Sequence, residues 1–288
     1  MPTSGKSLVG FMQKEDGMRY LRNVCHLSGD QSESRMAHEW TKANEALGRP
    51  MARLGKPEIK EIPEEKQPYI DELMAQPWLK KELDDTLVGA SFKLVEIDPL
   101  LAMQFAVDTD RSSTLTSQLP ANPSIDALLK TCLPHTRAEE NLAFLRSNHK
   151  HSMMVISRNL SLHVKNEGAI ATETATGTCL HIGIELVFPA PLVHVVRLND
   201  RCYLHNGFHR AYGAKLAGAT HVPCIFRDVK TSVDVGIAKH ETFDLELLQS
   251  ENAPTLGHFT QGRAYDVRLK TMKKVLQVSW SEYMIDGD

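Results

Sequence analysis

One stretch, residues 192–226, constrains the fold of this chain more than any other. Its β-branched, apolar run over residues 193–198 ends at Asn199 and Asp200, a pair typical of tight turns. An extended pattern then resumes over residues 202–204. This order of patterns predicts a β-hairpin.

A glycine separates that hairpin from the element that follows it. Helical spacing begins at about Phe208, directly after Gly207, and runs to Gly218, where a glycine is expected to end the helix. Residues 222–226 then return to a strand pattern, with proline near the start, where its missing N–H is tolerated. The stretch therefore predicts hairpin, glycine turn, short helix and strand in that order.

The junction between strand and helix carries chemistry. Gly207 allows a sharp turn and the close approach of a ligand, while the first helical N–H groups are unpaired and carry positive partial charge. His209 and Arg210 add side-chain donors at the same point, and strand alternation directs His205 away from Leu204. Together they predict an anion site, with phosphate as the expected ligand.

The same residues also allow a plainer interpretation. The junction is then a tight turn that starts a helix, and its charged side chains face solvent. Asn206 is expected to bond to the turn or to accept a left-handed conformation. Phe208 is expected in the core or in the wall of the pocket.

At this point the residues resemble a known family, the ParB and sulfiredoxin superfamily. In that superfamily a Gly-x-(His or Arg)-Arg element follows a hairpin and opens a helix that ends with Ala-Gly before a Val-Pro strand. The match covers about forty contiguous residues in the right order, which is far more specific than a lone glycine motif. The matching residues here are Asn206-Gly207-Phe208-His209-Arg210-Ala211, Lys215-Leu216-Ala217-Gly218 and Val222-Pro223.

The resemblance implies a fold and a ligand. Residues 93–104 are similar to the opening strand and turn of the same fold, which places Gln104 near the bound nucleotide. The implied fold is α+β, a mixed sheet with packed helices. The implied ligands are ATP or CTP with Mg²⁺.

Some residues differ from the family's pattern, and these differences argue against two of its known activities. Sulfiredoxins carry their catalytic cysteine at the position of Phe208, so sulfiredoxin activity is expected to be absent. ParB proteins have two arginines after the glycine and a DNA-reading helical domain behind it. Here His209 precedes Arg210 and strand patterns follow, which argues against a partition clamp.

A kinase of the superfamily presents another departure. Such a kinase uses a glutamate near the position of Gln104 as its base, and an amide cannot take a hydroxyl proton. Glu96 or Asp98 would have to replace that glutamate. The reaction type, whether phosphoryl transfer or hydrolysis, stays open.

Composition sets the broad class. The chain has 288 residues, a formal net charge of -3 and a pI near 6.5, so it has no global attraction to nucleic acid or anionic membranes. Its five cysteines are an odd number without a Cys-x-x-Cys pair, which indicates reduced thiols. No apolar run approaches the ~20 residues of a membrane span. We expect a cytoplasmic protein without a membrane partner.

The rest of the chain is predicted as follows. Residues 1–88 form a mainly helical segment, poorly ordered to about residue 17, with helices over 32–47 and over 68–83 broken at Pro77. Residues 89–288 form the ParB/sulfiredoxin-like domain, with an insertion at about 108–180 and a C-terminal strand extension. Within it we expect helices at 124–133, 136–147 and 243–248, strands at 92–97, 153–164 and 179–188, a turn at 166–168, a loop at 252–262, and a terminal hairpin with arms at 267–269 and 273–280.

Two patterns could be taken for metal sites. Asp108 and Asp110 lie two apart, but without the glycine and glutamate of a calcium loop a capping or turn role is favoured. His149 and His151 alternate, but two ligands are too few and a solvated loop is favoured. No metal site is predicted.

The sequence therefore predicts a protein that binds a nucleotide or another phosphorylated ligand. One alternative is a nucleic-acid-binding protein or nuclease, and another is a non-catalytic interaction module with a degenerate pocket. The nucleic-acid alternative needs a local basic track. Its candidate residues are Arg197, Arg201, Lys215, Arg227 and Lys230.

Overall fold

Contacts between residues divide the chain into two units. The first unit is Met1–Thr136 with Pro191–Thr271, and the second is Arg137–Ala190 with Met272–Asp288. The computed structural model describes residues 1–27, 32–48, 55–85, 87–136, 142–146, 151–157, 162–174, 177–188, 191–237, 242–281 and 283–284. The domain boundary proposed near residue 88 and the insertion at about 108–180 stay predictions.

Strands and helices are numbered in chain order. The strands are β1 (Thr3–Ser7), β2 (Ile59–Glu61), β3 (Ser91–Glu96), β4 (Leu101–Ala102), β5 (Ala106–Asp108), β6 (Ala143–Arg146), β7 (Ser152–Ser157), β8 (His163–Thr174), β9 (Gly177–Val187), β10 (His194–Leu198), β11 (Arg201–Asn206), β12 (His221–Asp228), β13 (Tyr265–Leu269) and β14 (Lys274–Ser279). The α-helices are α1 (Lys14–Val24), α2 (Glu33–Glu45), α3 (Gln67–Met74), α4 (Pro77–Asp85), α5 (Thr109–Leu115), α6 (Ile125–Cys132), α7 (Phe208–Leu216), α8 (Leu245–Gln249) and α9 (Leu256–Thr260).

A six-stranded mixed sheet organises the first unit, in the order β2-β3-β12-β10-β11-β4. Strands β10 and β12 are parallel, as are β11 and β4, while the other neighbours are antiparallel. The predicted hairpin, helix and strand are the consecutive elements β10, β11, α7 and β12. The α+β class is confirmed.

The central strands and α7 share one core. Val195, Val196 and Val222 are buried, because β10 and β12 lie inside the sheet and have apolar residues on both faces. On the helix, the small residues Ala211 and Ala214 are fully buried in the same cluster. The small side chains there place α7 in the same core as the sheet strands.

The first residues of the chain form a strand, although the sequence predicts poor order to about residue 17. Strand β1 lies in the middle of a three-stranded sheet, between β13 and β5. Ser7 is fully buried, and its hydroxyl donates to the carbonyl of Phe105 at 3.1 Å. The prediction is wrong because pairing with distant strands on both sides orders a segment that is polar and rich in small residues.

The two terminal strands do not form the predicted hairpin. Strand β13 pairs with β1 in the first unit, whereas β14 pairs with β7 in the second. The predicted alternation is real in both strands. The pairing is wrong because alternation sets which face of a strand is buried and leaves its neighbour open.

The second unit holds a sheet in the order β14-β7-β6 and a hairpin of β8 and β9. The helix predicted to residue 147 is wrong over β6, whose residues pair with β7. The turn predicted at residues 166–168 is wrong as well, since these residues lie inside β8. Pairing across strands overrides local turn and helix signals here. The remaining residues of that predicted helix, 137–141 and 147, lie outside the described ones.

Other predicted helices are confirmed. Helix α2 begins after Ser32, and α3 and α4 are separate helices with Pro77 at the start of the second. Ser124 caps α6, because its hydroxyl accepts the Ala127 N–H at 3.4 Å.

The loop predicted at 252–262 instead contains α9, whose first turn is closed by Thr255 and His258 in a capping box. Within the described residues, no helix has both the length and the apolar character needed to cross a membrane.

Candidate functional site

The hairpin turn has the geometry that its two residues favour. Asn199 has a φ of 50° and Asp200 a φ of 64°, so both are left-handed. Two left-handed residues in succession match the twist of the flanking strands. The turn makes β11 antiparallel to β10, and β11 ends at Asn206, directly before Gly207.

Gly207 is required by conformation and by packing. Its φ is 84° and its ψ is 21°, in the left-handed region, and a Cβ atom there would lie 2.7 Å from Cα of Val193. Its N–H donates to the side-chain oxygen of Asn206 at 2.8 Å. The turn-bonding role that the sequence suggests for Asn206 is therefore present.

The first turn of α7 carries positive charge. No side chain caps the helix, so its first N–H groups remain as donors. Arg210 lies in this turn, and among the described residues no carboxylate pairs with it. Burial lowers the pKa of Arg210, and the guanidinium of Arg111 lowers it further. Two arginines therefore lie close enough to repel each other at this helix end.

His209 is fastened to α5. Its Nε2 accepts the backbone N–H of Asp108 at 3.2 Å, and the hydroxyl of Ser112 donates to its carbonyl at 2.6 Å. Burial, and then Arg111, lower the pKa of His209 to about 4. The ring is therefore neutral near pH 7, and its proton lies on Nδ1. Only Nδ1 is left to donate to a ligand.

Gln104 follows a strand that ends at the same edge of the sheet as Asn206. Strands β4 and β11 are parallel, with Leu101 opposite Tyr203 and Ala102 opposite Leu204. Parallel neighbours end on the same side, so Gln104 and Asn206 follow their strands at one edge. The side chain of Gln104 is exposed there.

His205 is bound to the segment that follows β12. Its Nδ1 lies 3.0 Å from the carbonyl oxygen of Val235, and its ring meets that of His194 edge-on at 4.9 Å. Burial lowers the pKa of both rings, that of His194 to about 3. His205 thus packs beside the turn with one nitrogen committed to a carbonyl. The partner ring, His194, carries no sequence signal, because it lies within an apolar strand.

Phe208 is a core residue and the nearby thiols are buried. Only 2% of Phe208 is exposed. Burial raises the pKa of Cys132 and of Cys202 to about 12, so both thiols stay protonated at neutral pH. Cys202 is on the strand that precedes the turn, yet it offers no thiolate.

Asp108 and Asp110 have structural partners. Asp108 caps α5, because its carboxylate accepts the Arg111 N–H at 2.9 Å, and it also accepts the Thr3 hydroxyl at 2.7 Å. Asp110 accepts the backbone N–H of Ser4 at 2.9 Å. The favoured capping role is confirmed for Asp108. In the part of the chain that the structure describes, no group of three or more His, Cys, Asp or Glu residues could hold a metal ion. His149, of the second pattern, lies outside that part.

Most side chains of the predicted basic track have internal partners. Arg197 forms two bonds to Asp228, at 2.5 and 2.9 Å, and Lys215 forms an ion pair with Asp98 at 2.7 Å. The guanidinium of Arg227 donates to the carbonyl of Asp234 at 3.1 Å. These contacts hold the sheet and its connections together, and they leave fewer cations for a nucleic acid.

Arg111 belongs to this site and was not predicted from the sequence. It lies in the polar segment after Asp108, and only the packing of α5 against α7 brings it to Arg210. The sequence signal that could have indicated it is weak: one arginine directly after an aspartate pair.

Comparisons with known proteins give no relative: no protein-family model, no curated protein and no solved structure matches this chain.

Proposed function

We propose that this protein binds a phosphorylated ligand, in first place a nucleotide, at the N-terminus of α7. The observation that carries the proposal is the pair Arg111 and Arg210. No carboxylate among the described residues neutralises either guanidinium, and Arg210 lies in the first turn of α7, where no described side chain caps the helix. Fixed positive charge at unpaired N–H groups is what a phosphate needs.

The charged side chain and the helix N-terminus at this site can supply the free energy needed to bind a phosphate. Each hydrogen bond between a charged side chain and a phosphate contributes about 1.5–3 kcal/mol, and the helix terminus up to about 2 kcal/mol. Arg210 and the N–H groups of residues 208–210 would hold phosphate oxygens. Gln104 and Asn206, at the same sheet edge, would face the rest of the nucleotide. The ParB/sulfiredoxin-like fold proposed for this domain implies the same placement of the nucleotide relative to the helix start.

ATP or CTP with Mg²⁺ are the ligands proposed. Asp108 and Asp110 are bonded to backbone and hydroxyl groups, so the nucleotide's own phosphates would be the main ligands of the ion. The two residues considered as a replacement base also have partners. Glu96 accepts the Glu58 N–H at 3.0 Å, and Asp98 pairs with Lys215. The proposal is therefore binding, with phosphotransfer or hydrolysis left as a question for assay.

Calorimetric titration with ATP, CTP and GTP, with and without Mg²⁺, tests the proposal. We expect one nucleotide to bind the wild type and its affinity to fall tenfold or more in Arg210→Ala, because one charge-assisted bond exceeds the 1.4 kcal/mol of a tenfold change. Arg111→Ala should weaken binding less, since its side chain is exposed.

The matched control is Arg19→Ala, which removes an exposed arginine of α1 whose ion pair among the described residues is with Asp16. Its nucleotide affinity should equal that of the wild type. If no nucleotide binds the wild type, the proposal fails. Retention on DNA that falls steeply with salt would point to the nucleic-acid alternative instead.

A further inference from the structure

A cavity lies at the opposite end of the hairpin from Gly207. It has a volume of about 930 Å³ and is bordered by the turn residues Asn199 and Asp200 and by Arg201, the first residue of β11. Gly207 follows the last residue of the same strand, so ~20 Å of extended chain separates the two places. Ligand pockets in proteins have volumes of about 300–1,000 Å³.

Apolar and polar residues share the walls of the cavity. Phe11, Leu47, Pro99, Leu101 and Leu247 contribute side chains, and they come from four separate segments of the first unit. Lys56 and Asp200 also border the cavity and neutralise each other in an ion pair of 2.7 Å, and the charged residues Glu251 and Arg263 line it as well. The apolar part of this wall suits a ligand with an apolar body.

Arg201 supplies a fixed charge in the wall. Its Nη1 donates to the carbonyl oxygens of Leu248 and Ser250, at 3.0 and 2.9 Å. These two bonds use both hydrogens of Nη1 and hold the guanidinium in one orientation. Among the described residues, no carboxylate pairs with Arg201. The Nε and Nη2 hydrogens remain, and they form the parallel fork that binds a carboxylate through both oxygens.

His258 supplies a second donor. Only 5% of this residue is exposed, and its Nδ1 accepts the backbone N–H of Thr255 at 2.8 Å. The proton of the neutral ring therefore lies on Nε2. Burial, and then Arg263, lower the pKa of His258 to about 4, so the ring is neutral at pH 7. Phe11 holds it edge-on at 5.0 Å, and no described residue bonds to Nε2.

We propose that this cavity binds a small organic carboxylate with an apolar body. The Nε and Nη2 edge of Arg201 holds the carboxylate, and Nε2 of His258 donates a further hydrogen bond from the wall. This site is separate from the nucleotide site at α7 and does not depend on it.

A pair of matched probes tests the charge requirement on the wild-type protein. 1-Naphthoate and 1-naphthalenemethanol share one apolar body and differ in the carboxylate. Calorimetric titration should show 1-naphthoate binding at least tenfold more tightly. Equal affinities, or no binding of either probe, would overturn the proposal.

Two variants locate the binding. Arg201→Gln keeps a polar amide on a shorter side chain but removes the charge and the guanidinium fork, and it should weaken 1-naphthoate binding tenfold or more. Arg197→Gln is the matched control, because this arginine is on the neighbouring strand β10 and pairs with Asp228. It should leave the affinity unchanged, as should Arg210→Ala at the other site. Loss of 1-naphthoate binding in either of these variants would contradict the assignment.

Nuclear magnetic resonance gives a readout that a purely structural role of His258 would not move. In protein labelled with ¹⁵N-histidine, 1-naphthoate should shift the Nε2 resonance of His258 in the wild type. 1-Naphthalenemethanol at the same concentration should shift it less. An Nε2 resonance that does not respond to 1-naphthoate would remove His258 from the site.

Discussion

Gly207 shows how one residue can serve both conformation and packing. Its left-handed φ disfavours any side chain, and Val193 fills the place where a Cβ atom would be. Glycine adopts a left-handed φ without strain, and it has no Cβ atom that would clash with Val193. The candidate anion site depends on both properties, because they set the direction in which α7 begins.

Gly207→Ala should destabilise the protein by about 2–5 kcal/mol, from left-handed strain of ~1–2 kcal/mol and overpacking of ~1–3 kcal/mol. Gly89→Ala is the matched control, since Gly89 has a φ of 76° and nothing within 4 Å of its Cβ position. It should cost only the strain. Urea unfolding measures both variants. Equal losses would show that contact with Val193 contributes nothing.

Three buried histidines should make the protein sensitive to acid. Burial lowers the pKa of His194 to about 3, and those of His209 and His258 to about 4. In the unfolded chain these rings bind protons near pH 6.5. Between pH 6.5 and 4 the unfolded state therefore binds more protons, so stability present above pH 6.5 is lost as the pH falls.

His194→Leu should flatten this acid limb. Nε2 of His194 is buried and has no hydrogen-bond partner among the described residues. Burial lowers the pKa of His194, and His205 and Arg227 lower it further, so protonation in the folded state is costly. Between pH 6.5 and 4.5 the variant should lose roughly 1–3 kcal/mol less free energy of unfolding than the wild type. His26→Leu, at an exposed histidine, is the control. An unchanged acid limb in His194→Leu would argue against a buried neutral ring.

The contact between α5 and α7 places the candidate site. Gly213 on α7 faces Thr116 and Ser112, and a Cβ atom there would lie 2.4 Å from the methyl carbon of Thr116 and 2.9 Å from the Ser112 hydroxyl. The missing side chain lets the helices approach until His209 accepts the Asp108 N–H and Arg111 reaches Arg210. One glycine on a helix interior thus assembles the cationic pair.

Gly213→Ala should push the two helices apart. Overpacking costs about 1–3 kcal/mol, partly offset by ~1 kcal/mol of helix propensity. The larger effect should be on nucleotide affinity, since Arg111 moves away from Arg210. Gly48→Ala is the control, because no atom of the described residues lies within 4 Å of its Cβ position. A Gly213→Ala protein that binds nucleotide as the wild type does would separate helix packing from the site.

Elements predicted from the sequence agree with the structure where the signal is local. The hairpin from β10 to β11 follows from a turn pair between two apolar runs, and α7 from the glycines at both of its ends. The pattern at residues 124–133 predicts α6 through its capping serine. Elements with non-local causes were missed. Strand β1 exists because distant strands pair with it, and β13 and β14 separate because each finds another partner.

For the whole molecule, the chain passes through the first unit, the second, the first again and the second again. The chain leaves the first unit after Thr136 and re-enters it at Pro191, beside the end of α6. The N–H of Val193 donates to the carbonyl of Cys132 at 2.9 Å. The two ends of the first unit at this break therefore lie next to each other.

The first unit should fold by itself when residues 137–190 are replaced by a Gly-Ser-Gly linker and the chain stops at Thr271. The unit keeps the six-stranded sheet, the sheet around β1 and the core that they share with α7. Circular dichroism and a cooperative urea transition should show a folded protein. Nucleotide and 1-naphthoate affinities should match those of the full chain. A non-cooperative transition would show that the second unit is needed for stability.

Local sequence chemistry was sufficient for the centre of this protein, residues 192–226. Turn residues, glycines and apolar alternation act over a few neighbouring residues, so the order hairpin, helix and strand is legible without coordinates. Only the tertiary structure determined which residues distant in sequence lie in contact. It joined Arg111 to Arg210, engaged His209 with Asp108, and formed the cavity at Arg201 from segments far apart in sequence, because side-chain contacts between distant residues leave no periodic trace in the chain.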